Sequence, residues 1–178
     1  FYVYDNSTEA INEALNRLEG YLESLQGYNV ILQPTYRFER YGYVENGQWK
    51  YPKECFTAEY YNAWYGNLSA LIAKYPNVVL LVGFNEAYLH FASKEDARAI
   101  MKLEYQTWKR LSSIPFSCET TEPYEAWMSY WNVTNPSFQD DVLPIWASFS
   151  DYVGFQLWAD RYPLTCGIDW QGNLTAFE

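Results

Sequence analysis

The sequence lacks the marks of several common classes of protein. No apolar run approaches the roughly 20 residues that a membrane-spanning helix needs, so we predict no membrane span. Neither Gly-x-Gly-x-x-Gly nor Gly-x-x-x-x-Gly-Lys-Ser/Thr follows a candidate strand, which leaves nucleotide binding without support. The 12 basic residues are outnumbered by 22 acidic ones, and the net charge of −10 argues against binding to nucleic acid or to anionic membranes.

Cysteine and histidine are also scarce. The chain has 1 histidine and 3 cysteines, and no two cysteines stand in a Cys-x-x-Cys spacing, so we predict no metal site. Four Asn-x-Ser/Thr sequons indicate an extracellular, secreted glycoprotein with N-glycans at Asn6, Asn67, Asn132 and Asn173. In that oxidising setting we expect a disulfide between Cys55 and Cys166, which leaves Cys118 in the core as a small hydrophobe.

Aromatic side chains are what the sequence has in abundance. They make up 20% of the residues, a share that indicates a large aromatic core or a surface that binds through its rings. The length of 178 residues fits one domain spanning 1–178, with one hydrophobic core. Short apolar stretches lie at both ends, so we expect a mature chain, a proteolytic piece or a section of a longer polypeptide.

Strand and helix patterns alternate along the chain. Apolar residues recur at helical spacing over 11–25, 57–75 and 97–111, and Trp64 and Trp108 lie on the apolar faces as core residues. Extended apolar segments are predicted at 29–36, 77–84, 114–118 and 152–158, and a long polar and aromatic loop at 37–56. Weaker helices are predicted at 124–131 and 137–149. This alternation predicts an α/β fold with a parallel βα array, as an open sheet or a closed barrel.

The most informative segment runs from Asn77 to Tyr88, where a hydrophobic strand leads directly into Asn85-Glu86. Functional side chains of parallel βα folds lie at the carboxyl ends of the strands. An apolar neighbourhood favours the protonated form of a carboxyl group, so Glu86 is suited to donate a proton. Asn85 is suited to hydrogen-bond a substrate hydroxyl.

Lys74-Tyr75-Pro76-Asn77, a hydrophobic strand and then Asn85-Glu86 together resemble the fourth strand of the clan of retaining glycoside hydrolases, whose familiar members are the family five cellulases and mannanases. The resemblance implies a (β/α)8 TIM-type barrel, here incomplete or a section of a larger one, in which Glu86 is the acid/base and Asn85 contacts the sugar 2-hydroxyl. The segments at 29–36, 114–119 and 151–158 resemble strands three, five and six. In an alternative register the last two are strands seven and eight.

The second carboxylate of the family ends strand seven, which is absent or only begins near Leu174. Candidates for its role are Glu119, which ends the neighbouring strand, Glu178, and a residue outside this chain. Aromatic and cationic residues predicted at strand ends and in the following loops are candidate sugar-binding residues, namely Tyr36, Arg37, Trp49, Tyr88 and Trp158. We therefore predict a glycosidase that acts on a β-linked polysaccharide or oligosaccharide with no cofactor. The alternative is a non-catalytic surface or polysaccharide-binding domain.

Overall fold

The computed structural model describes residues 1–38, 40–45, 48–85, 87–120 and 147–155. The strands are β1 (Tyr2–Val3), β2 (Val30–Leu32), β3 (Thr35–Tyr36), β4 (Tyr43–Glu45), β5 (Gln48–Lys50), β6 (Val78–Asn85), β7 (Phe116–Thr120) and β8 (Tyr152–Phe155). The helices are α1 (Thr8–Ser24), α2 (Ala58–Ile72), the short α3 (Ala87–His90) and α4 (Lys94–Leu111), with a 3-10 turn at Lys53–Cys55. The predicted α/β class is confirmed.

The strands of the four-stranded sheet are parallel and follow chain order across that sheet. β2, β6, β7 and β8 are neighbours in that order, and β1 pairs in parallel with β3. Only Gln33 and Pro34 separate β2 from β3, so the two strands are consecutive pieces of one extended segment. The carboxyl ends of β3, β6 and β7 therefore lie at the same edge of the molecule, where parallel folds place their sites.

Capping residues and apolar faces set the positions of the long helices. Thr57 and Ser93 accept hydrogen bonds from the third residue beyond them and begin α2 and α4, as predicted. Asn6 with Glu9 three residues later resembles a capping box in the sequence, but the α1 cap is Ser7. The Asn6 side-chain amide instead donates to the Cys55 carbonyl at 3.1 Å. α1 contacts α2 and α2 contacts α4, so the helices also follow chain order.

The core is built from the aromatic faces of the helices against one face of the sheet. Trp64 and Trp108 are fully buried, and Cys118 is buried in the same core, as predicted. Ile31, between the buried Val30 and Leu32 of β2, is 60% exposed. The hydrophobic side chains of β2 are therefore covered by the core on one face of the strand only.

The prediction of a loop over 37–56 is wrong. β4 and β5 form an antiparallel hairpin in which Val44 pairs with Trp49, and the 3-10 turn at Lys53–Cys55 follows it. The Asn46-Gly47 dipeptide between the strands is a strong hairpin signal that was read only as a loop signal. Gly47 and Asn46 themselves lie outside the described residues. The hairpin matters because it carries Trp49 to the strand ends.

Asp151 attaches the start of β8 to the rest of the sheet. Its carboxylate accepts hydrogen bonds from the Phe116 backbone N–H at 2.9 Å, from the Lys109 ammonium at 2.9 Å and from the Tyr105 hydroxyl at 3.2 Å. These contacts join β7 and α4 to the first residue before β8. The strands predicted at 114–118 and 152–158 begin and end within a few residues of β7 and β8. Residues 121–146 lie outside the described residues. They include the helix predicted at 124–131 and all of the helix predicted at 137–149 except its last three residues.

Candidate functional site

A cavity of about 400 Å³ opens at the carboxyl ends of β3 and β6. Its volume lies in the range of roughly 300–1,000 Å³ that is usual for small-molecule sites. The described lining combines four aromatic side chains, one guanidinium, one imidazole and one threonine, contributed by Thr35, Tyr36, Arg37, Trp49, Tyr51, Phe84 and His90. We call Tyr36, Phe84 and the Glu104 carboxylate beneath them the cavity floor, and Arg37, Trp49 and His90 the cavity rim.

The cavity floor is rigid because aromatic rings pack on each other beneath it. The Tyr36 and Phe84 rings are stacked with centroids 4.9 Å apart, and Phe84 also packs against Phe91 at 5.1 Å. The Tyr51 hydroxyl donates to the Tyr36 carbonyl at 2.9 Å. These contacts hold the end of β3 against the end of β6, which fixes the position of both strand ends.

Glu104 is a buried carboxylate that the floor encloses. It belongs to α4, is 1% exposed, and accepts hydrogen bonds from the Tyr65 hydroxyl at 2.5 Å, the Tyr36 hydroxyl at 3.2 Å and the Phe84 backbone N–H at 2.9 Å. Burial raises the pKa of Glu104 from 4.5 to about 7, although the three hydrogen bonds favour its ionised form. Glu104 therefore links α4 to β3 and β6 directly below the cavity.

Sequence analysis passed over Glu104, although the pattern contained a signal. The apolar stripe of α4 includes Ala97, Ile100, Met101, Trp108 and Leu111, and position 104 completes that stripe. A charged residue at a core position of an amphipathic helix is rarely buried without hydrogen-bond partners. The interrupted stripe thus indicated a buried polar contact, but it could not identify Tyr65 or Phe84 as the partners.

The hairpin and α3 position the cavity rim. The Tyr51 backbone N–H donates to the His90 carbonyl at 2.8 Å, and the His90 Nδ1–H donates to the Trp49 carbonyl at 2.9 Å. This contact leaves Nε2 of the neutral imidazole as an acceptor, and burial lowers the pKa of His90. In the sequence His90 lies just beyond the segment from Asn77 to Tyr88, a position that predicts a loop residue rather than a ligand. In the structure it ends α3, only a few residues after β6, and lines the cavity.

Three of the predicted sugar-binding residues come together in this cavity. Tyr36 ends β3, Arg37 follows it, and Trp49 reaches the same opening from β5. Asn85 ends β6 and pairs with Glu119 of β7 in the sheet register, so the two backbones are neighbours at the carboxyl edge. Tyr88 belongs to α3, which follows that edge. Glu86 and Trp158 lie outside the described residues, and so does Glu178.

The remaining predictions about cysteines and sequons are only partly covered by the structure. Cys55 and Cys118 are buried and form no disulfide with each other, and burial raises the pKa of the Cys55 thiol to about 11 and that of Cys118 to about 12. Asn67 is exposed on α2. Cys166, Asn132 and Asn173 lie outside the described residues, so the disulfide and those glycans stay predictions.

A second hollow of about 620 Å³ lies between α1, β1 and β2 and is less suited to a polar ligand. Arg17 is the charged residue in its lining, and that guanidinium already contacts Glu13 at 3.7 Å and donates to the Tyr2 carbonyl at 3.3 Å. Within the described ranges no group of three or more potential metal ligands occurs, and no helix is long and apolar enough to cross a membrane. The cavity at the strand ends is therefore the candidate site.

Comparisons with protein-family models, with characterised proteins and with solved structures find no match for this chain. The assignment of a function therefore depends on the geometry and chemistry of the site alone.

Proposed function

We propose that this chain is a glycoside hydrolase that cleaves a β-linked polysaccharide of the cellulose or mannan kind, with its sugar in the cavity at the strand ends. The observation that carries the proposal is the register of β6 and β7, which pairs Asn85 with Glu119 beside the aromatic cavity. Sugar rings have apolar faces that stack on aromatic side chains, and the 37% exposed Trp49 offers such a surface.

Strand order supports the barrel that the proposal requires. In the four-stranded sheet the parallel order β2, β6, β7 and β8 follows the chain without the reversal that marks a doubly wound sheet. β1 pairs in parallel with β3, which continues the segment of β2. Right-handed crossovers between strands in chain order put all helices on one face, as in a (β/α)8 barrel. The exposed Ile31 on the other face of β2 fits a strand whose inner side faces a barrel interior.

The proposed chemistry uses two carboxyl groups. Glu86 protonates the glycosidic oxygen as the bond to the leaving sugar breaks, and it then takes a proton from the water that attacks the anomeric carbon. Glu119 is the leading candidate for the second carboxylate, which attacks or stabilises that carbon, and Glu178 or a residue outside this chain are the alternatives. Carboxyl groups about 5 Å apart give retention, and those roughly 6.5–9.5 Å apart give inversion.

The same proposal includes secretion and glycosylation. Asn67 is exposed and therefore accessible as a glycan acceptor, whereas the Asn6 amide already donates to the Cys55 carbonyl. Modification at Asn6 would break that hydrogen bond between the start of α1 and the 3-10 turn. Mass spectrometry of the secreted protein before and after deglycosylation tests both sites, and we expect occupancy at Asn67 to exceed occupancy at Asn6.

A non-catalytic polysaccharide-binding domain is the second candidate. It is favoured by the lining that the described residues provide, which is aromatic and cationic and includes no carboxylate. Glu104 is enclosed by hydrogen-bond donors beneath the floor. This candidate predicts binding of β-glycans with no release of reducing ends.

Substitution of the proposed acid/base tests the two candidates. Glu86→Gln and Glu119→Gln are compared with Glu45→Gln, an exposed glutamate of the hairpin, in assays of reducing-sugar release from β-1,4-glucan and β-1,4-mannan. We expect Glu86→Gln to lose a factor of about 10²–10⁴ in rate and Glu45→Gln to keep full activity. Undiminished hydrolysis by Glu86→Gln would falsify the catalytic assignment, and binding without hydrolysis by the wild type would establish the second candidate.

A further inference from the structure

Two cationic side chains of the described residues, Arg37 and Lys50, lie at or beside the cavity rim, although the whole chain carries a net charge of −10. Arg37 and His90 line the opening, and the Lys50 ammonium donates to the Phe91 carbonyl at 3.1 Å next to α3. The acidic group that acts on Lys50 is Glu45, at the far end of the hairpin. A cationic opening on an acidic protein attracts anions to that position.

Among the described residues, no carboxylate forms an ion pair with the Arg37 guanidinium. The guanidinium lies over the Tyr2 ring at 4.5 Å from the centroid. The backbone N–H of Arg37 donates to the Val3 carbonyl at 2.8 Å. Ion pairs within the described part of the chain join other residues, namely Arg17–Glu13, Lys53–Asp96, Lys74–Glu19 and Lys109–Asp151. Arg37 therefore presents a fixed planar donor set to a ligand in the cavity.

Arg37 and His90 offer complementary contacts to a sugar. The guanidinium can only donate hydrogen bonds, whereas Nε2 of neutral His90 accepts one, because Nδ1–H is used by the Trp49 carbonyl. A hydroxyl group satisfies His90, and an anionic substituent satisfies Arg37. Trp49 supplies the apolar surface on which the ring would stack.

We infer that the cavity selects a sugar that carries an anionic substituent, a carboxylate or a sulfate, and that Arg37 binds that substituent. The inference rests on the proposed function, since it narrows the substrate class of the same site from neutral β-glycans to acidic ones. Both substituents present paired oxygens to the guanidinium, so the shared chemistry is an oxyanion on the sugar ring.

Calorimetric titration tests the selection with three defined probes. They are a neutral β-1,4-linked glucose trisaccharide, the same trisaccharide oxidised at one C6 to a uronate, and the same trisaccharide with one 6-sulfate. We expect wild-type protein to bind an anionic probe about tenfold more tightly than the neutral one, as a charge-assisted hydrogen bond provides. Arg37→Gln should bind all three probes equally.

Arg40→Gln is the matched control because Arg40 also lies over a tyrosine ring, Tyr41, at 5.5 Å but does not line the cavity. It should keep the preference for the anionic probe. Preference for the uronate alone identifies the planar carboxylate as the ligand, and equal preference for the sulfate identifies recognition of charge.

Equal affinity of the wild type for neutral and anionic probes overturns the inference while the proposed hydrolase stands. An equal loss in Arg40→Gln also overturns it, and so does an absence of binding to any probe. A preference for anionic sugars without hydrolysis keeps the inference and removes the enzyme. The failure of one proposal is thus distinguishable from the failure of the other.

Discussion

At the cavity floor the Glu104 carboxylate is enclosed by three hydrogen-bond donors, whereas at the cavity rim the Arg37 guanidinium lies exposed over a tyrosine ring. A buried charge needs partners within the protein because it has lost its water, and an exposed one can keep its bonding capacity for a ligand. The two regions thus separate structural from binding roles within one cavity. Substitutions on the floor should change stability, and those on the rim should change affinity.

Glu104→Ala is expected to have the largest effect on stability. It leaves the Tyr36 and Tyr65 hydroxyls and the Phe84 N–H without their acceptor in the core, which should cost on the order of 4 kcal/mol of unfolding free energy. Urea denaturation followed by tryptophan fluorescence measures the loss. Lys102→Ala, at an exposed position of the same helix, is the control and should change stability little. A similar loss of unfolding free energy in both variants would show that the buried hydrogen bonds of Glu104 do not stabilise the fold.

The pH dependence of stability provides a second test of the floor. The folded-state pKa of Glu104 is raised to about 7, so the native state binds the proton more tightly than the unfolded chain does. The corresponding stability is complete below about pH 4.5 and is lost as the pH rises through about 7, by up to about 3 kcal/mol. The difference in unfolding free energy between wild type and Glu104→Gln should therefore fall over that range. A flat or rising difference would contradict a buried Glu104.

Helix periodicity, caps and the apolar run of β6 were sufficient to predict most of the scaffold beneath the floor. Those signals are local: the apolar faces of α2 and α4 recur at helical spacing, and Thr57 and Ser93 precede them. Glu104 interrupts one such face, and its partners come from β3, α2 and β6. No local sequence pattern connects Glu104 with these partners, because their hydrogen bonds depend on how β3, α2 and β6 pack against α4.

The rim was predicted less completely for a related reason. Tyr36, Arg37 and Trp49 were identified from their places at strand ends and in the following loop, but the hairpin that carries Trp49 was read as a loop. β4 is short, and all of its residues are exposed, so it has no apolar alternation that would reveal a strand. His90 joins the site through a backbone carbonyl of the hairpin, a contact without any sequence signature.

Gly83→Ala tests how closely the floor is packed. A Cβ at this position would meet Phe116 Cζ at 2.3 Å and Glu104 Oε2 at 2.8 Å, so we expect a loss of about 1–3 kcal/mol in unfolding free energy. Gly66→Ala is the matched control, since α2 has open space there and alanine favours helix by about 0.5–1 kcal/mol. The two glycines should therefore respond with opposite signs. Equal responses would mean that β6 and α4 are not in close contact.

A smaller effect on stability than at Glu104, with a clear effect on binding, is expected at Trp49 of the rim. Trp49 is 37% exposed, so Trp49→Ala removes only part of a buried side chain and should cost less unfolding free energy than Glu104→Ala. Loss of a stacking surface should weaken binding of a β-glycan oligosaccharide about tenfold in calorimetric titrations. Tyr28→Ala, at a 68% exposed aromatic residue that does not line the cavity, is the control and should bind normally.

Gly42→Ala separates the position of the Trp49 ring from its presence. A Cβ on Gly42 would meet the indole at 2.3 Å, so the ring must move while remaining in the protein. If stacking on a fixed indole contributes to binding, Gly42→Ala should lower affinity in the direction of Trp49→Ala, with Arg37 and His90 unchanged. Normal affinity in Gly42→Ala together with weak binding in Trp49→Ala would mean that the rim needs an aromatic surface but not its observed orientation. Normal affinity in both variants would show that the sugar does not bind on this rim, and the contrast between floor and rim would then lose its functional half.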